Sequence, residues 1–347
     1  MEDIRFLFSA VGHPTSPGIV SSLKNNGERN IKIIGIDSDR TRIISKIFDN
    51  FYQVPKFSDK KFISKILQIC KKEMIDVYWP RKEEEAFLTC DNEEKFNKLG
   101  VKLIRPASKK ILEIACNKNK FHNLFEKNKI IHARYHQIKN FKDFTNSLTL
   151  LKNLNDKIVL KPAESSGGRG ALIINFSQKY NLEKKSGELL EYSPDAVTTM
   201  LAKIPPKKFP ELIAMEYLTG KYYSVDVLSK NGKILYLVPK LRIVGTPSNT
   251  IVGKINSNKN VEKIVSKVCK LFKFSYLQNY ELIVNEKNQP MIYDINPRGG
   301  ASIAFCNAGG INLLYLSIKM ALDEKIPTNF KIKNDLKMIR AHHEYYE

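Results

Sequence analysis

The chain has 347 residues, 42% of them hydrophobic, and a formal charge of +21. That length suggests two or three domains with ample core, and no run approaches the 18 consecutive apolar residues of a membrane span. Only 11 of the 57 basic residues are Arg, and lysine is spread along the whole chain without a basic tail, so the charge reads as general surface charge rather than a nucleic-acid site.

Residues 1–106 alternate between strand and helix. Ile4–Val11, Ile31–Asp37, Asp76–Pro80 and Val101–Arg105 are apolar runs of strand length, and Ser16–Asn26, Thr41–Phe48, Phe62–Glu73 and Glu83–Lys98 read as helices. This alternation predicts a parallel, doubly wound sheet. The first turn, Ser9-Ala10-Val11-Gly12-His13-Pro14, has Pro14 and Pro17 where a dinucleotide fingerprint needs glycines, which argues against a dehydrogenase. Residues 107–130 read as helical. Lys157–Ala163 and Ala171–Asn175 are strands around a glycine-rich loop, Ser186–Ile204 reads as a helix, and Glu211–Tyr217 as a strand. Tyr222–Leu228 and Lys233–Ile243 form a hairpin around Asn231-Gly232, a strong turn signal. Asn258–Phe272 reads as a helix, and Ile311–Lys325 as an amphipathic helix.

Three segments carry chemistry. Asn279–Asn285 and Pro290–Asn296 alternate like strands around the polar stretch Glu286–Gln289. A turn centred between Lys287 and Asn288 pairs Glu281 with Asp294, and puts Tyr280, Leu282, Val284, Met291, Tyr293 and Ile295 on one apolar face. Paired carboxylates about 5 Å apart repel, and Mg²⁺ commonly resolves such repulsion through one or two carboxylates plus substrate phosphates. Asn296 stands at the same end, and Arg298 follows it. The second segment is a strand delivering Lys161, followed by Ser165, Ser166, Gly167, Gly168, Arg169 and Gly170; glycines let backbone N–H groups approach phosphate oxygens. The third, Met215-Glu216-Tyr217-Leu218, is an extended segment whose backbone can recognise an adenine edge.

In this order the motifs resemble the ATP-grasp superfamily across nearly the whole chain, in particular one half of the carbamoyl-phosphate synthase large chain and the carboxylate–amine ligases built like it. The resemblance implies an α/β chain: a Rossmann-like parallel-sheet domain over 1–106, an ATP-grasp N-terminal lobe with a glycine-rich lid over 107–217, and a C-terminal lobe with the metal site over 218–347. It implies ATP as nucleotide and Mg²⁺, with Mn²⁺ as an alternative. Lys118 and Lys161 would bind phosphates, Ser165–Gly170 would close over them, and Glu216, Tyr217 and Leu218 would meet adenine. Glu281, Asp294 and Asn296 would hold the metal, and Arg298 would reach the transferring phosphoryl group. Lys240 and Arg242, two apart on one strand, are expected to bind the carboxylate or phosphate, with an exposed cationic face as the plain alternative.

The chain departs from the pattern in three places. Lys221, Tyr222 and Tyr223 stand where a ribose-binding glutamate is common, leaving Asp226 as a candidate; Asn117 replaces the usual Asp before Lys118; and Asp294 replaces a commoner Glu. The implied reaction activates a small-molecule carboxylate as an acyl phosphate for an amine, releasing ADP. Alternatives are a phosphoryl or carbamoyl-phosphate type of enzyme and a non-catalytic nucleotide- or polyanion-binding protein. The expected partners are small acids and amines, not specific nucleic acid or membrane, with a homo-oligomer left open. Five scattered cysteines without metal-ligand spacing and a start lacking signal-peptide features give a cytoplasmic expectation. Cys306 is placed near the Arg298 loop, His132 and His136 read as surface or packing residues, and Glu83–Glu85 as a helix first turn that can face a domain interface.

Overall fold

The structure, a computed structural model, describes all residues except 1, 154–155, 166–168, 179–183, 187–188, 247–248, 342 and 347. Its strands form three sheets. The first is parallel, in the spatial order Asn50–Gln53, Ile31–Asp37, Ile4–Ser9, Val77–Trp79, Lys102–Leu103. Its central strands bury Phe6, Leu7, Phe8, Ile33 and Ile34 on both faces, as parallel strands covered by helices must. The segment predicted as the helix Thr41–Phe48 is instead two short 3₁₀ turns, followed by the edge strand Asn50–Gln53.

The second sheet runs Tyr135–Ile138, Leu212–Glu216, Lys157–Pro162, Leu172–Asn175, Leu189–Tyr192, Lys184–Ser186. Here the predicted helix over Ser186–Ile204 is corrected. Leu189–Tyr192 is a strand pairing in parallel with Leu172–Asn175, and only Pro194–Ala202 is helical, capped by the Ser193 hydroxyl. Pro194 at the first helical turn fixes that start.

The third sheet is antiparallel, in the order Pro290–Asn296, Tyr276–Val284, Lys221–Lys230, Lys233–Thr246, Asn249–Ile255, Lys337–Ile339. Asn231 and Gly232 both take positive φ (50° and 77°) at the predicted hairpin turn, as a two-residue turn requires. The helix Lys259–Phe272 packs six buried residues against this sheet and starts at the Asn258 side-chain cap.

The parallel-sheet domain is joined to this last sheet by a shared core. Phe8 and Trp79 belong to one cluster with Ile303, Phe305 and Leu316. Arg29 pairs with Glu324 at 2.5 Å, Lys319 pairs with Glu28, and the Asn312 side chain donates to the Ser22 carbonyl at 2.6 Å. The loop after Arg298 is therefore held against the first domain. Among the described residues, no helix is long and apolar enough to cross a membrane.

Candidate active site

The hairpin pairs Glu281 with Asp294, as the sequence predicts, but the register changes next to them. Nearer the turn the pairs are Leu282–Ile292, Ile283–Met291 and Val284–Pro290, so Tyr293 is an extra residue, a β-bulge. The bulge corrects the predicted apolar face. Ile292, not Met291 or Tyr293, joins Tyr280, Leu282 and Ile295 in the core. Tyr293 turns to the opposite face, where its hydroxyl donates to Glu281 at 3.2 Å and its carbonyl accepts from Lys161 Nζ at 3.1 Å.

A cleft of about 1120 Å³, counting the solvent at its mouth, lies between the second and third sheets. Lys118, Lys161, Glu281, Asp294, Asn296 and Arg298 line one end; Val159, Met215, Tyr217, Leu218 and Ile283 line the other. Among the described residues the Leu218 N–H has no backbone acceptor, so it is available to a ring nitrogen at the apolar end. Gly220 sits just beyond, at φ 135°, where a Cβ would stand 2.2 Å from the Val284 carbonyl oxygen; only glycine lets this linker cross the hairpin so closely.

Lys118 is buried, donates to the Ser165 carbonyl at 2.6 Å and stands 3.5 Å from Asp294. Its helix is clipped to the lysine strand: the Lys118 N–H donates to the Ala163 carbonyl, and Asn117 caps the helix while its amide donates to Glu164 at 2.9 Å. That donation explains the departure at Asn117, since an aspartate could cap but not donate to a carboxylate. Lys161 is buried over the Tyr293 ring. Burial, and then the charge of Lys118, pulls its ammonium down to about 7, partly offset by Asp294. Ser165 and Gly170 border the glycine-rich loop, whose Ser166, Gly167 and Gly168 lie outside the described residues.

Glu281 is held above the usual carboxylate range by burial, against the pull of Arg242 and of hydrogen bonds from Ser224 and Tyr293; Asp294 pushes it further up. Such a carboxylate gains from a cation. Arg242 donates to Glu281 at 3.0 Å and stacks on Tyr222. Asn296 accepts from Arg298 at 3.0 Å and donates to Asn279 at 3.3 Å.

Lys240 is neither an exposed cation nor a lining residue. It is buried, ion-paired to Asp226, and donates to the Ser302 hydroxyl at 2.8 Å. Asp226 is fully buried and also accepts from Asn279 at 3.0 Å and from the Gly300 N–H at 2.7 Å. It is therefore spent beneath the cleft and is not the ribose contact. Cys306 likewise does not line the cleft; its thiol faces Asp226 from below at 3.6 Å. His132 packs among His122 and Tyr135. The polar row Asn296, Asn279, Asp226, Lys240 crosses four strands under the site. Ser224 and Asn279, which the sequence reading left out, were signalled by strand alternation, since both fall on the face of Asp226 and Glu281.

Gly300 completes this floor. A Cβ there would stand 2.6 Å from the Asn279 amide and 2.8 Å from Asp226. We expect Gly300→Ala to lower stability by about 1–3 kcal/mol, an overpacking cost, and to raise the KM for nucleotide. An unchanged melting temperature would contradict the packing seen here.

Glu83 approaches from the first domain, at the start of the helix Glu83–Asp91. Burial raises its pKa, Arg298 and Lys118 lower it, and Asp294 raises it, so it faces the charged end of the cleft. Glu85 instead points into its own domain, accepts from the Ser9 hydroxyl at 2.5 Å, and is pushed up to about 7 by burial.

Residues 208–343 match the family described as "ATP-grasp in the biosynthetic pathway with Ter operon", and residues 8–104 match the "PylC-like, N-terminal domain" family. Over residues 208–343 the chain is therefore of ATP-grasp type. Solved structures with this ATP-grasp architecture include an L-amino acid ligase from Bacillus licheniformis (14% identity, 93% of this chain and 74% of that one, TM-score 0.63). They also include N5-carboxyaminoimidazole synthetase from Staphylococcus aureus (13%, 95% and 80%, 0.67) and biotin carboxylase from Campylobacter jejuni (14%, 95% and 73%, 0.68). At these identities the likeness speaks to the fold. No curated protein sequence matches the chain. The cleft between the second and third sheets brings together Lys118, Lys161, Ser165, Glu216, Tyr217, Leu218, Glu281, Asp294, Asn296 and Arg298 of the predicted residues.

Proposed function

We propose that the protein is an ATP-dependent ligase that joins a small-molecule carboxylate to an amine. The observation that supports this most is the gathering at one end of the cleft of three cations, Lys118, Lys161 and Arg298, with two carboxylates, Glu281 and Asp294. A phosphoryl group in transfer needs positioning and charge neutralisation rather than a protein nucleophile.

In this reading adenine lies against Val159, Met215 and Leu218, between Glu216 and Tyr217, and the phosphates run towards Lys161 and Lys118. A carboxylate oxygen of the acid attacks the γ-phosphorus and ADP leaves. The amine nitrogen then attacks the acyl carbon, phosphate leaves, and the nitrogen gives up its proton. Arg298 neutralises the transferring group and Arg242 orients Glu281. We assign Lys240 to positioning, because it holds the floor and touches no part of the cleft. Glu281, Asp294 and Asn296 offer an all-oxygen donor set that would hold a hard divalent cation, Mg²⁺ or Mn²⁺, and the ion would supply positive charge to the phosphates.

The test is ADP release over a matrix of acids and amines with Mg²⁺ and ATP. Release that needs both an acid and an amine supports ligation. Nucleotide binding without turnover for any pair would instead leave a nucleotide-binding protein without catalysis.

The Lys161 environment gives a second expectation. At pH 8 its amine is largely neutral, and phosphates raise its pKa, so nucleotide binding there takes up a proton and weakens as pH rises. Calorimetry in two buffers of different ionisation enthalpy reads this directly. Binding enthalpies that do not depend on the buffer would contradict it.

A further inference from the structure

Beyond the Arg298 end of the cleft, the first domain presents the cation Arg81 and a histidine, His13, that the reaction above does not use. Gly299 joins the two surfaces: a Cβ on it would stand 3.3 Å from the Trp79 ring. Arg81 lies over that same ring, its guanidinium 5.5 Å from the Trp79 centroid and 4.9 Å from that of Phe8. It donates to the Ala10 carbonyl at 3.2 Å, the Ser16 hydroxyl at 3.2 Å and the Thr15 hydroxyl at 3.3 Å. These neutral acceptors fix the fork at the start of the helix Ser16–Lys24. His13 sits on the same turn, its Nδ1 2.8 Å from the Thr15 hydroxyl, and the residue keeps part of its surface in solvent.

We infer that Arg81, His13 and the start of the helix Ser16–Lys24, facing Arg298, form an anion subsite for a second negative group, carboxylate or phosphate, on the substrate. This deepens the proposed ligase reading and rests on it. The electrostatics agree. Crowding by protein, and then Arg81, Arg298, Arg340 and Lys82, hold His13 down to about 4. Among the described residues no carboxylate pairs with Arg81 or Arg298 within 4.0 Å. Asp37 and Glu85 act on Arg81 from its own domain, but Asp37 already accepts from the Gly12 N–H at 2.9 Å. A helix N-terminus adds partial positive charge to such a place. The substrate class is thus an acid with two anionic ends, one activated beside Arg298 and one anchored on Arg81.

The test follows the His13 side chain by ¹⁵N-edited NMR, with inorganic phosphate and acetate as probes and chloride at matched ionic strength as control. It needs neither nucleotide nor turnover, so failure of the ligase reading would not touch it. We expect phosphate or acetate to raise the His13 pKa saturably by about one unit, tenfold in proton affinity, and Arg81→Gln to remove that rise. A rise with phosphate alone assigns a phosphorylated substrate, and an equal rise with acetate assigns a carboxylate. Neither probe exceeding chloride in the wild-type protein, or an undiminished rise in a folded Arg81→Gln, would overturn the subsite. If Arg81→Gln does not fold, Arg81→Lys takes its place, with a weakened rise expected.

Discussion

Asp294→Ala removes Mg²⁺-dependent ADP release, with turnover expected to fall by about 10²–10³-fold or more, the range for losing one electrostatic contact to a reacting group. The protein should stay folded, because Asp294 is partly exposed and, among the described residues, its one ion pair, to Lys118, is at 3.5 Å. Removing it leaves Lys118 anchored by the Ser165 carbonyl. A Glu281→Gln variant separates charge from shape: it keeps acceptors for Arg242 and Tyr293 but loses the negative charge a cation needs. We expect it to lose activity and to stay folded, with a lowered melting temperature because Arg242 loses the counter-charge of Glu281. Full activity in Asp294→Ala, measured against Mg²⁺ concentration, would sink the metal assignment.

The largest effect on stability is expected from Asp226→Ala. Asp226 is fully buried under Lys240, Asn279 and the Gly300 N–H. Removing one partner of a buried pair leaves the other charge uncompensated, at a cost of about 3–5 kcal/mol. The Lys240 ammonium shows the balance: burial pulls its pKa down, but the charge of Asp226 outweighs that and leaves it raised. The double variant Asp226→Ala/Lys240→Met should recover part of the loss, because the unpaired charge goes with it. Recovery stays incomplete, since the Asn279 amide and the Gly300 N–H still lack their acceptor. Urea denaturation of the two variants reads this difference. A double variant no more stable than the single one would mean that the ion pair is not the main cost.

How much of this was legible from sequence depends on which physical signal each residue leaves. The opposition of Glu281 and Asp294 was legible because period-two alternation and a polar turn determine it. The bulge at Tyr293 was not, because an inserted apolar residue leaves an apolar pattern apolar; Met291 and Tyr293 suit either face. The helices Phe62–Glu73 and Lys259–Phe272 match the expected ones, and their buried residues recur at helical spacing. Leu189–Tyr192 was read as helix because its strand identity comes from pairing with Leu172–Asn175, a contact outside its own sequence. Lys240 and Arg242 share a strand face, yet Lys240 is buried by Asp226 on the neighbouring strand while Arg242 reaches Glu281. No local pattern distinguishes two cations by partners on other strands. In sequence the His13 turn stands out only for the glycines it lacks, and Arg81, brought to it from the end of the strand Val77–Trp79, leaves no local signal.

Ligation through an acyl phosphate is tested most directly by following oxygen. The acid and amine that most increase ADP release would be supplied with the acid's carboxylate labelled with ¹⁸O, and the released phosphate analysed by mass spectrometry. We expect each turnover to carry a labelled oxygen from the carboxylate into phosphate, because the attacking oxygen stays on phosphorus when the amine displaces it. Sustained ADP release with unlabelled phosphate would contradict activation of the carboxylate, and with it the ligase proposed for this cleft.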